Sequence, residues 1–156
     1  MKRAIIVVLA LLLVLCACEK EKRVPTIEEV SEAVLSSLKD KGSFVLADED
    51  FEESNFDLDE QTNEARIYID EGREIGIFKL EPNGDAARVE HVIRDYIAGE
   101  KESISSLLEL YPSEELSEKK SRYESAVVLS QNSYICYFVL SKEELVSAKQ
   151  AFVQLF

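Results

Sequence analysis

Hydrophobic residues are distributed along this chain in two ways. Residues 4–18 form one nearly unbroken apolar block directly behind Met1-Lys2-Arg3, whereas later apolar residues recur at regular spacings among charged ones. The block has two cations ahead of it, a core of about a dozen apolar residues and a small residue before its last cysteine. It falls short of the ~18–20 residues a spanning helix needs, and so has the pattern of a bacterial export signal.

Behind a polar stretch at 19–25 the spacing becomes helical. Thr26-Ile27-Glu28-Glu29 is a capping box after Pro25, and Ile27, Val30, Val34 and Leu38 share a face until Gly42, which predicts a helix over 27–40. Phe44-Val45-Leu46 is apolar but too short to assign. Residues 48–60 are dense in acids, with Phe51, Phe56 and Leu58 as inward anchors, and read as an irregular or briefly helical connection. Ala65, Ile67 and Ile69 then alternate with Arg66 and Tyr68. After Asp70-Glu71-Gly72-Arg73 comes Ile75-Gly76-Ile77-Phe78-Lys79-Leu80, and the whole predicts a β-hairpin with glycine in its turn.

Pro82-Asn83-Gly84 ends that strand and opens a long helix with Val89, Ile93, Tyr96 or Ile97, Ile104 and Leu108 on one side. Gly99 weakens it by about 1 kcal/mol relative to alanine and permits a bend. Tyr111-Pro112 stops it, and Ser113 caps a shorter helix with acids first and lysines last, as the helix dipole prefers. Residues 126–129 and 134–140 predict a second hairpin around Gln131-Asn132, its second strand apolar on both faces and therefore central. Ser141, with Glu144 three residues on, caps a last helix carrying Leu145, Ala148 and Phe152. The expected fold is α+β: an antiparallel sheet of about four strands, made of two β-hairpins, with amphipathic helices mainly on one face.

Leu15-Cys16-Ala17-Cys18 resembles the lipobox of bacterial lipoproteins, in which a small residue precedes a cysteine that receives a diacylglyceryl group on sulfur. The resemblance implies cleavage after residue 17 and lipidation of Cys18. Cys16 is the rival, but it follows the bulky Leu15; an ordinary secretory cut or an uncleaved anchor are the other readings. A two-chain lipid holds a protein on a bilayer far more firmly than one chain, because each buried CH₂ contributes about 0.8 kcal/mol. On this reading residues 1–17 are signal, 18–25 a lipidated tether and 26–156 a single domain, on the outer face of the cytoplasmic membrane.

Charge narrows the partners. Without Lys2 and Arg3 the chain keeps 16 basic residues against 31 acidic ones, a formal charge of −15. That balance argues against nucleic acid, which is bound through clustered lysine and arginine. It equally disfavours flat docking on anionic lipid or wall polymer. Lys20, Lys22 and Arg23 sit beside Cys18, where they either face headgroups or belong to a solvated linker.

The carboxyl two-thirds is similar to a known family. Glu74-Ile75-Gly76-Ile77-Phe78-Lys79, then Leu110-Tyr111-Pro112-Ser113-Glu114, Ser125-Ala126-Val127-Val128 and residues 134–140 resemble small lipoproteins of clostridial-type Gram-positive bacteria, catalogued as domain of unknown function 4358. The likeness covers residues 57–156. It departs at Gln131-Asn132-Ser133, where a glycine-led turn is expected. It implies a Gram-positive surface lipoprotein, and neither an activity nor a catalytic residue.

Few residues offer chemistry. His91, the only histidine, lies beside the apolar side of the long helix, near Arg88, Arg94 and Asp95, and reads as an exposed helix residue rather than a general base. None of the 16 serines lies in a Gly-x-Ser-x-Gly elbow. With Cys16 removed and Cys18 acylated, Cys136 is the remaining thiol, set in an apolar run as a buried, unreactive residue. One histidine and one free cysteine make zinc improbable. A calcium loop begun at Asp57 and Asp59 puts Thr62 at the turn glycine and Tyr68 at the closing glutamate, so the pattern fails. Acids this abundant make any glycosidase pair uninformative, and without tryptophan the usual sugar platform is missing. No catalytic, metal or cofactor site is expected. The reading is a non-enzymatic binding module for an unidentified protein or peptide, the alternative a small cell-envelope hydrolase.

Overall fold

The computed structural model describes residues 23–58 and 60–156. The signal over 1–17, the lipid site at Cys18 and the first part of the tether lie outside the described residues. Helix α1 (Ile27–Ser36) starts from the expected capping box, with Glu29 N–H donating to Thr26 Oγ1 and Thr26 N–H to the Glu29 carboxylate. It ends four residues before Asp40, and a 3₁₀ turn (Lys41–Ser43) leads into the two-residue strand β1 (Val45–Leu46).

Helix α2 (Glu49–Asn55) follows, capped by Asp48, whose carboxylate accepts from Phe51 N–H at 3.0 Å. Strands β2 (Thr62–Asp70) and β3 (Arg73–Leu80) make the first hairpin. Its two turn residues, Glu71 and Gly72, have φ of 36° and 82°, a backbone that glycine adopts without strain. Helix α3 (Ala86–Leu110) runs unbroken through Gly99, and α4 (Glu114–Glu124) begins at the Ser113 cap. Strands β4 (Val127–Gln131) and β5 (Tyr134–Val139) form the second hairpin, with Asn132 at φ 52°. Helix α5 (Lys142–Gln154) closes the described chain from the Ser141–Glu144 capping box.

The strands form one antiparallel sheet in the order β1-β2-β3-β5-β4. The α+β class is as expected, with five strands rather than about four; β1 is the addition, and two residues are too few for a sequence pattern to announce. The helices do not gather mainly on one face. On one side Ile75, Ile77, Cys136 and Phe138 pack against α1 and α5 through residues such as Val30 and Phe152. On the other, Phe78, Ile135, Tyr137 and Val139 meet Val89 and Ile93 of α3, Tyr123 of α4, and Phe56 and Leu58. The reason is visible in β5, all six of whose residues are buried: a strand apolar on both faces needs cover on both. Each fully buried aliphatic or aromatic side chain contributes about 1.5–3 kcal/mol, so the two cores rather than any cross-link carry stability.

Candidate functional site

Alternation along β3 sends Arg73 and Glu74 to opposite faces at the hairpin end of the sheet, and each organises a polar cluster. Glu74 is only 5% exposed. Three tyrosines converge on its carboxylate: Tyr96 of α3 donates to Oε2 at 2.9 Å, Tyr137 of β5 to the same oxygen at 3.2 Å, and Tyr123 of α4 to Oε1. A buried carboxylate is costly without such donors, so three elements are tied to β3 by one side chain. Burial first, and then the neighbouring Glu74 charge, push all three hydroxyls above the ordinary tyrosine range, so they remain neutral donors.

Gly76 makes this geometry possible. It stands opposite Tyr137 in the β3–β5 register, and the Tyr137 ring lies across the space a side chain would fill. The ring is stacked near Phe78, with centroids 6.2 Å apart, and borders Phe56 and Tyr96 at 6.0 Å each. Tyr137 and Tyr123 are as sealed as Glu74, which leaves no room for a substrate. The cluster is a structural knot.

On the opposite face Arg73 pairs with Asp70 of its own hairpin and with Glu144 of α5 at 2.7 Å, and its guanidinium stands 4.7 Å from the Phe44 ring. For Asp70, burial works upward, but hydrogen bonds from Arg73 and Ser43 and the Arg73 charge hold it below its ordinary value. Glu144 behaves alike: burial is outweighed by hydrogen bonds from Ser141 and Arg73. These groups join the first hairpin to α5, and their bonds are made within the protein.

A concave surface with unmet bonding capacity lies along the outer side of β2. Strand β1 covers β2 only through Val45↔Ile69 and Leu46↔Tyr68, after which Ala47 N–H donates to Ile67 O at 2.8 Å and the chain departs into α2. Residues 62–66 of β2 therefore have no strand on their outer side among the described residues. The two-residue hairpin pairs Asp70 with Arg73, so Tyr68 and Arg66 bond to β3 while Ile69, Ile67 and Ala65 turn their backbone outward. The N–H and C=O of Ala65 face a groove of about 850 Å³ whose other wall is α2.

That groove is acidic. Asp48, Glu49, Asp50, Glu52, Glu53 and Glu64 line it, and none of the six has an ion-pair partner among the described residues. Its one lining cation, Arg66, is engaged by Glu28 of α1 at 3.1 Å. Burial, then the charges of Glu49 and Glu53, raise Glu52 above the ordinary glutamate value. At the rim, Leu46 is 44% exposed.

The residues singled out from the sequence do not meet. His91 is exposed on α3, with its Nδ1 3.3 Å from Asp95. Cys136 is fully buried on the opposite face of the sheet from Glu74, and burial raises its thiol well above the ordinary range. The acids of 48–58 are spread along α2 and its flanks. Among the described residues no three histidine, cysteine, aspartate or glutamate side chains are grouped to hold a metal ion. Glu74 escaped sequence reasoning, although a signal existed: it shares β3's alternation with Gly76 and Phe78, and a doubly apolar β5 implies that this face is buried. No family model, curated protein or solved structure matches this chain.

Proposed function

We propose that this protein is a non-enzymatic, extracytoplasmic binding module, tethered by lipid on Cys18 to the outer face of the cytoplasmic membrane, that takes a protein partner in the groove between β2 and α2. The observation that carries the reading is a β2 edge left open among the described residues, beside carboxylates that have no cation partner among them. Unpaired backbone groups at a sheet edge are a template for another chain, and the exposed Leu46 adds apolar rim area. The charged flank, apolar block and Ala17-Cys18 support the tether. No helix among the described residues is long and apolar enough to cross a membrane. Kinship with small clostridial-type lipoproteins belongs to the same proposal.

The test is chemical crosslinking in cells, with the wild type, Cys18→Ser and the triple variant Glu49→Lys, Glu52→Lys, Glu53→Lys compared at equal abundance. Mass spectrometry of the wild-type mature N-terminus should find diacylglyceryl on Cys18 and release of Cys18→Ser from the membrane fraction. A partner crosslinked to wild type should be lost from the groove variant. An unlipidated wild-type N-terminus refutes the tether, and undiminished crosslinking by the groove variant refutes the site.

A further inference from the structure

The open edge has a length and a chemistry that specify its occupant. Five residues of β2, 62–66, lack an outer neighbour among the described residues, and at about 3.3 Å per residue they accommodate an extended segment of about four to six residues. Ala65 offers one outward N–H and one outward C=O, the pair an added strand uses. On the wall, Glu52 and Glu53 stand i+3 and i+4 from Glu49, so each neighbours it on α2 at about 5–6 Å. Alternate side chains of an extended strand point the same way about 6.6 Å apart, close to that spacing. A strand laid on β2 thus presents every second side chain to the carboxylates. The six groove acids have no cation among the described residues, so a partner with positive charges at those positions meets unsatisfied charge, and an acidic partner is repelled.

We propose that the groove binds an extended basic peptide segment, with lysine or arginine at alternate positions, as an added strand along residues 62–66 of β2. This rests on the reading of the groove as the protein's binding site. The carboxylates are strung along α2 rather than grouped, which suits several cationic side chains rather than one metal ion. Burial is the larger cause of the raised Glu52, and such cations would offset the smaller one, the charges of Glu49 and Glu53.

The full chain in zwitterionic detergent is titrated with a fluorescein-labelled hexapeptide alternating lysine and valine, followed by anisotropy and by amide hydrogen exchange at Ala65. Binding should slow exchange of the Ala65 N–H, with affinity falling about tenfold or more for Glu49→Gln, Glu52→Gln, Glu53→Gln. The same peptide N-methylated at alternate amides keeps its charge but loses its strand bonds, and should also bind about tenfold more weakly or worse. A glutamate-valine peptide should not bind.

Equal binding of the N-methylated peptide would reduce the effect to charge adsorption and overturn the proposal, as would unchanged exchange at Ala65. Ala65 protected without peptide, in a sedimenting dimer, would make a second copy the occupant. Protection in the free monomer would make the chain's own Lys20-Glu21-Lys22 stretch the occupant, and either result overturns the proposal. If no peptide binds while crosslinks in cells still depend on the groove, the partner's chemistry is wrong and the binding-module reading stands. If both fail, both fall.

Discussion

A methyl group added at Gly76 would sit 2.0 Å from Cε1, 2.5 Å from Cδ1 and 2.8 Å from Cζ of Tyr137. Carbon atoms in contact keep about 3.5–4.0 Å, so the ring must move by about 1.5 Å. Phe56, Phe78 and Tyr96 border it, and its hydroxyl is held on Glu74. Overpacking a core costs about 1–3 kcal/mol. Pulling the hydroxyl from a carboxylate costs about 1.5–3 kcal/mol more. Gly76→Ala should therefore destabilise the fold by about 3–5 kcal/mol, read as a lower midpoint at unchanged slope in urea unfolding followed by circular dichroism.

The second half of the cycle makes the cause testable. In a Tyr137→Ala background the obstructing ring is gone, and alanine in a strand interior is about 0.5–1 kcal/mol better than glycine. Gly76→Ala should then be neutral or stabilising, a reversal of sign that only direct contact between the two positions produces. An equal loss in both backgrounds would refute the claim that Gly76 exists to seat the Tyr137 ring.

Two further outcomes follow from the same structure. Asp70 and Glu144 lie below their ordinary values of 3.8 and 4.5, so their stabilisation is complete above about pH 5 and is lost as pH falls through the folded values. Arg73→Leu should therefore be less stable than wild type at pH 7, and the gap should narrow below about pH 4 in urea titrations; a gap independent of pH would sever Arg73 from these carboxyls. Cys136 should resist a thiol reagent in the native protein and react once the chain unfolds in denaturant, as full burial and a raised thiol require. Labelling of Cys136 at the rate of an exposed thiol would contradict its place in the core.

Much of the fold was legible because local chemistry and periodicity agreed. The Thr26, Ser113 and Ser141 caps start helices where they stand, and the Asp70-Glu71-Gly72-Arg73 turn makes its hairpin. The cover on both faces was also written in β5, where neither Ile135 and Tyr137 nor Cys136 and Phe138 is a polar set, though it takes both cores to reveal its meaning.

The candidate site was hidden for a different reason. Acids at 48–58 look alike whether solvated or lining a groove, and the groove exists because β1 stops after Leu46 while β2 runs from Thr62 to Asp70. That mismatch is a tertiary fact, set by pairing lengths rather than by any residue. The tyrosine knot on Glu74 is similar: Tyr96, Tyr123 and Tyr137 come from three elements, and no spacing along the chain announces their convergence.

Site-specific photocrosslinking in cells tests the central claim most directly, with a photoreactive residue at Leu46 on the groove rim or at Val153, half-exposed on α5 and outside the groove lining. Leu46 is predicted to crosslink to an extended segment of a partner whose sequence, read by mass spectrometry, carries lysine or arginine at alternate positions, while Val153 gives no such product. Crosslinks from Val153 alone, or from both positions equally, would contradict the account.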